Sequence, residues 1–131
     1  MSLLLYIAGP MSSHPEDSNF PAFHKAAEQL RAMGHVIFSP AENVVIKGWA
    51  TYEGKVLPGF DLRNSLGDDL AWICKFSDGV VLLEGWERSK GSIAESSTAN
   101  ALGLKRYIQV HELAKWLEID SNGRVTGEVL S

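Results

Sequence analysis

A doubly wound α/β fold, with a mostly parallel sheet of four to five strands and helices on both faces, is predicted from three observations. Continuous apolar runs at 3–8 (LLLYIA) and 80–83 (VVLL) read as strands buried on both sides. Stretches of helical spacing lie between the strand-like runs, so the two element types alternate along the chain. Breakers such as Gly9-Pro10, Gly34, Ser39-Pro40 and Gly103 separate the runs.

The first strand stops at Gly9-Pro10. Residues 21–33 carry Phe23, Ala26, Ala27, Leu30 and Met33 on one helical stripe, with Pro21 near the start and Gly34 fitting the C′ position. His35 to Phe38 is a short second strand. Residues 41–60, broken by Gly48, Gly54 and Pro58-Gly59, read as an irregular loop and a candidate lid. Residues 61–76 return to helical spacing, with Leu62, Leu66, Leu70, Ile73 and Cys74 on one side, and Cys74 reads as a small core residue. A strand at 79–83, a helix at about 91–103 and a strand at 105–110 follow. Residues 111–118 (HELAKWLE) suggest a further short helix. Asn122-Gly123, between two alternating runs, marks 119–131 as a hairpin or a mobile tail. The whole is a flavodoxin- or Rossmann-like layout in a single domain, 1–131.

Composition narrows the function. A chain of 131 residues suits one domain with a real core. Its net charge of −4 disfavours a broad nucleic-acid footprint but leaves room for a small phosphorylated ligand. The opening MSLLLYIAG has no basic n-region and reads as a strand, not a signal peptide. No run approaches 18 apolar residues, so no membrane span is expected and the default compartment is the cytoplasm. One cysteine excludes an internal disulfide. Walker A, GxGxxG and HExxH motifs are absent, and His14, His24, His35 and His111 lack metal-ligand spacing. No metal or cofactor is expected.

Three places carry candidate chemistry. Ligands of open α/β sheets bind at the carboxyl ends of strands, where helix N-termini point. Gly9-Pro10-Met11-Ser12-Ser13 is there after strand one, either as a plain turn or as a loop admitting a ligand to the backbone. Asp68 and Asp69 precede LAWI; paired acids on a helix are ordinarily solvated, but Leu70 and Ile73 tie Asp69 to the core, so it could project into the crevice. Ser92-Ile-Ala-Glu95 fits the capping box S-x-x-E, and spacing alone favours that reading. The alternative is a phosphate site built by Ser89, Lys90, Gly91 and Ser92 at a positive helix end.

The set YIAGPM at 6–11, DLAWI at 69–73, SDGVVLLEGWERSKGSIAE at 77–95 and ANALGLK at 99–105 resembles the nucleoside 2-deoxyribosyltransferase-like superfamily, especially an uncharacterised, often phage-encoded branch. The resemblance implies that Glu95, four residues after Gly91, is a nucleophile toward the anomeric carbon. It implies that Asp69 supports it and helps protonate the departing base. Tyr6, Gly9, Met11, Gly91 and Ser92 join the substrate-binding set. Six residues before Glu95, where the transferases carry an aspartate, this chain has Ser89. That is similar to the deoxynucleoside 5′-monophosphate N-glycosidases, whose serine binds phosphate, and Arg88 and Lys90 would add cations nearby.

The implied reaction is hydrolysis of a (deoxy)nucleoside 5′-monophosphate through a glycosyl-enzyme ester, as in retaining glycosidases. Base exchange between deoxynucleosides and a non-catalytic nucleotide-binding module are the alternatives. Trp86 is assigned to loop packing, and Trp49 and Tyr52 to the candidate lid. The resemblance also implies a homodimer or larger homo-oligomer whose subunits complete each other's sites.

Overall fold

The computed structural model describes residues 2–110 and 115–131. In chain order the elements are β1 (Leu4–Ala8), α1 (Phe20–Ala32), β2 (Val36–Phe38), α2 (Pro40–Ile46), α3 (Leu62–Lys75) and β3 (Gly79–Leu82). A 3-10 turn (Trp86–Arg88), α4 (Lys90–Ala101), β4 (Lys105–Val110), β5 (Lys115–Ile119) and β6 (Val125–Val129) complete the chain. One six-stranded sheet runs in the order β2-β1-β3-β4-β5-β6. β1 pairs in parallel with β2 and β3, and β3 with β4. β4–β5 and β5–β6 are antiparallel.

This corrects the predicted doubly wound, mostly parallel sheet of four to five strands. The sheet is mixed, and its C-terminal half is built by antiparallel addition. The misreading lies in HELAKWLE. Residues 111–114 of the expected short helix lie outside the described residues, and Lys115–Ile119 is a strand. Trp116 and Ile119 are three apart, which suggests one face of a helix; in a strand they point to opposite faces, and here both faces are buried. The residues around Asn122-Gly123 make the turn into β6, with Asp120 N–H donating to the Arg124 carbonyl at 2.8 Å.

β1 sits between β2 and β3, so its run must be apolar on both faces. Leu5 and Ile7 join Phe23, Ala27 and Leu30 of α1 in one core. Tyr6 and Ala8 face the other way and pack with Ile73 of α3 and Ala99 of α4 in a second. α3 departs from its predicted stripe. Its buried residues are Ser65, Asp69 and Ile73, whereas Leu62 is 69% exposed and Cys74 is exposed rather than in the core. The inward face of α3 is thus partly polar, which has its reason in the cavity described below.

Residues 41–60 are more ordered than their breakers suggest. α2 opens on Pro40, whose missing N–H costs nothing in a first helical turn. Beyond it, an Ala50–Val56 antiparallel bridge closes a small lobe. The lobe is fastened to α1 and the loop before it. Tyr52 stacks on His24 with ring centroids 3.9 Å apart, and the Ser18 hydroxyl donates to the Gly54 carbonyl at 2.8 Å. At the far end of the sheet, His35 Nδ1 accepts from the Leu3 N–H at 3.1 Å, so Nε2 carries the proton that meets the Ser131 oxygen at 2.8 Å.

Gly54 has φ +98°, and a Cβ there would collide with the Asp17 carbonyl oxygen. Gly34 has a similar φ of +97° but open space around it. Gly54→Ala is therefore expected to cost about 2 kcal/mol or more, roughly 6–10 °C in Tm. Gly34→Ala should cost about 1 kcal/mol, that of the left-handed backbone alone. Equal losses in thermal denaturation would show that the lobe does not depend on the close approach.

Candidate active site

The loop after β1, the inward faces of α2 and α3, and the N-terminus of α4 open onto a cavity of about 320 Å³. Its floor is made by Glu95 and Asp69, with Tyr6 buried beneath Glu95. The β1 alternation turns the Tyr6 ring toward α3 and α4, where it stacks on Phe38 with centroids 5.6 Å apart. Its hydroxyl donates to Glu95 Oε2 at 2.6 Å, a buried bond between residues 89 apart in sequence. Glu95 is 5% exposed and Asp69 is equally buried, with Asp69 Oδ1 left without a hydrogen-bond partner. Glu95 and Asp69 also line the cavity.

Two buried carboxyls beside one another cannot both ionise cheaply. Burial is the main cause in each case. It raises the Asp69 carboxyl to about 7. It lifts Glu95 well above the ordinary carboxylate range, and the Asp69 charge lifts it further, while the Tyr6 hydrogen bond opposes the rise. Tyr6 itself is pushed well up by burial and the two acids, so its phenol stays protonated as a constant donor. The two acids titrate together, and the pair holds a proton into the neutral range.

The expected capping box is not formed. α4 begins earlier than predicted, and Ser89 is its N-cap, accepting from the Ser92 N–H at 3.3 Å. Ser92 is therefore one turn inside the helix. Its hydroxyl is buried with no partner, and the residue lines the cavity. Glu95 is thereby released from capping and held by Tyr6 instead.

Gly9 and Met11 also line the cavity, with Ser12 beside them on the β1–α1 loop. A Cβ on Gly9 would approach the Leu83 side chain to 2.8 Å, so close packing accounts for this glycine as well as any ligand does. All eight residues of the sequence-derived set thus meet at one place, seven on the lining and Tyr6 through Glu95.

The expected cations do not join them. Arg88 lines a separate open groove with Lys25, Trp86 and Gln109, and Lys90 is exposed and absent from the cavity lining. Trp86 packs against the Tyr6 core cluster. Trp49 and Tyr52 are not on the lining; the lobe contributes Ala50 and Val56. Ser65 and Ser18 were missed by sequence reasoning. Ser65 had a usable signal, since it lies one turn before Asp69 on the same helix face. Among the described residues, His14, Glu16 and Asp17 have donor atoms within 4.8 Å of one another. Asp17 already accepts from the Asn19 N–H at 2.8 Å, a turn that accounts for its position without an ion.

The raised carboxyls make a stability prediction. The native state holds protons that the unfolded chain has released between about pH 4 and 7, so this contribution to stability is full below pH 4 and is lost as pH rises through 7. Asp69→Asn removes it. Relative to the native chain, the variant should gain roughly 2–4 kcal/mol as pH rises across that window. Denaturant titrations at pH 4 and pH 8 check this; a gap that does not change with pH would mean Asp69 ionises normally.

No helix among the described residues is long and apolar enough to cross a membrane. No curated protein matches the chain. A family model described as a domain of unknown function, DUF4406, matches residues 3–107, which run from the threshold of β1 into β4 and include every residue of the cavity floor, so the chain belongs to that family.

Proposed function

We propose that this chain hydrolyses the N-glycosidic bond of a nucleoside 5′-monophosphate, with ribose or deoxyribose as the sugar. The observation that carries the reading is the buried Tyr6–Glu95 bond beside a second, proton-holding carboxyl at the end of a ligand-sized cavity. The sequence resemblance to the nucleoside 2-deoxyribosyltransferase-like superfamily supports the same roles, and carries the expectation of a homo-oligomer.

In the proposed reaction the pair shares one proton. From the form in which Asp69 holds it and the Tyr6 hydroxyl donates to ionised Glu95, the Glu95 carboxylate attacks C1′. The C1′–N bond breaks with its electron pair going to the base, which takes a proton from Asp69. Water then attacks the glycosyl ester, losing its proton to Asp69, and frees the sugar phosphate and Glu95. Tyr6 orients the nucleophile. The 5′-phosphate would meet neutral donors at the start of α4, namely the Ser92 hydroxyl, the Ser89 hydroxyl proton and the Gly91 N–H.

The test is incubation with deoxynucleoside monophosphates and their parent nucleosides, followed by chromatography for free base. Base release is expected, faster from the monophosphates. Glu95→Ala should abolish it, and Tyr6→Phe should lower kcat by about 10- to 100-fold. With the singly protonated pair as the reactive form, kcat should fall at high pH as the pair gives up its last proton. Turnover persisting in Glu95→Ala would remove the nucleophile assignment. Activity that needs a second base as acceptor would point to transfer, and tight binding without turnover to a binding module.

A further inference from the structure

The cavity carries its acids at one end only; elsewhere its polar side chains are hydroxyls, Ser12 and Ser18 before α1 and Ser65 on α3. α3 packs between α2 and α4, and the two acids stand where α3 meets α4. On the α4 side are Ser89, Gly91 and Ser92. Away from it, the wall is Pro40 and Val44 of α2, Val56 of the lobe, and Phe60, Leu62 and Leu66 leading into and along α3. Among the described lining residues there is no Asn, Gln, His, Lys or Arg.

Backbone groups do little to make up for this. Pro40 has no N–H. In the lobe, Thr51 N–H donates to the Lys55 carbonyl and Leu57 N–H to the Trp49 carbonyl, both at 2.9 Å. Ser18 commits its hydroxyl proton to Gly54. Asp69 aside, the polar side chain α3 adds to this wall is Ser65, one turn before Asp69.

We infer that the site selects its substrate by the sugar and its 5′ end, and that the base is held by shape against a largely apolar wall, with serine hydroxyls as its hydrogen-bonding groups and Ser65 as the principal reader. The inference rests on the proposed N-glycosidic cleavage, with the sugar at the Glu95–α4 side and the base toward α2. Hydroxyls that rotate to donate or accept alike do not distinguish the donor and acceptor patterns of four bases. Sites that read such patterns reject the wrong partner by about 10⁴–10⁵-fold, whereas apolar pockets discriminate by roughly 10–200-fold.

The experiment measures kcat/KM for base release from the four standard deoxynucleoside monophosphates, by the native chain and by Ser65→Ala. The values for the native chain are expected to lie within about 200-fold of one another. Ser65→Ala should shift the order among the bases by up to about tenfold each, with its thermal midpoint checked for folding. A preference above roughly 10³-fold for one base would overturn the inference while leaving glycosidic cleavage intact. An unchanged order in a folded Ser65→Ala would overturn Ser65 as the reader. Release of no base from any substrate would sink the underlying reading and this inference together.

Discussion

The hydrogen bond from Tyr6 to Glu95 is the constraint around which this molecule is arranged. It requires a central strand that presents an aromatic ring to one face only, and a helix whose first turns lie over that ring. It also requires that a carboxyl be buried, which is unfavourable unless the group is bonded or neutral. The phenol meets the first condition, and the proton shared with Asp69 meets the second. Remove the strand alternation of Leu5, Tyr6 and Ile7, and neither acid has a reason to be where it is.

The partly polar inner face of α3 follows from the same arrangement. A helix packed wholly on a core would bury leucines at the positions held by Ser65 and Asp69. Here those positions look into the cavity, and Leu62 is left in the open. A face that violates the amphipathic pattern is where a fold gives up packing for a site.

Legibility in the sequence divided along physical lines. The buried parallel strands were readable because β1 and β3 are apolar on both faces. The carboxylate pair was readable through the family resemblance, to which the step from Gly91 to Glu95 belongs; the residues alone only tied Asp69 to the core through Leu70 and Ile73. Periodicity by itself misled at Glu95, because S-x-x-E is satisfied by a capping box and by this site alike; only the position of the Ser89 cap separates them. α2 was hidden by its seven residues between breakers. The strand β5 was hidden because its residues were divided between an expected helix at 111–118 and a hairpin or tail from Ile119, while Trp116 and Ile119 lie on opposite, equally buried faces of one strand. Arg88 and Lys90 were counted near Ser89 by adjacency, but a 3-10 turn and a helix start send neighbouring side chains in different directions.

The partners in the Tyr6–Glu95 bond lie 89 residues apart, and β1 and β3 come together across a similar span. Such non-local pairing is slow to form and closes only when most of the chain is in place. Before that moment Glu95 and Asp69 are ordinary solvated acids, ionised and separate. The raised proton affinity of the pair is thus absent from a chain in which β1, α3 and α4 have not met, and whatever chemistry it performs waits on that long-range closure.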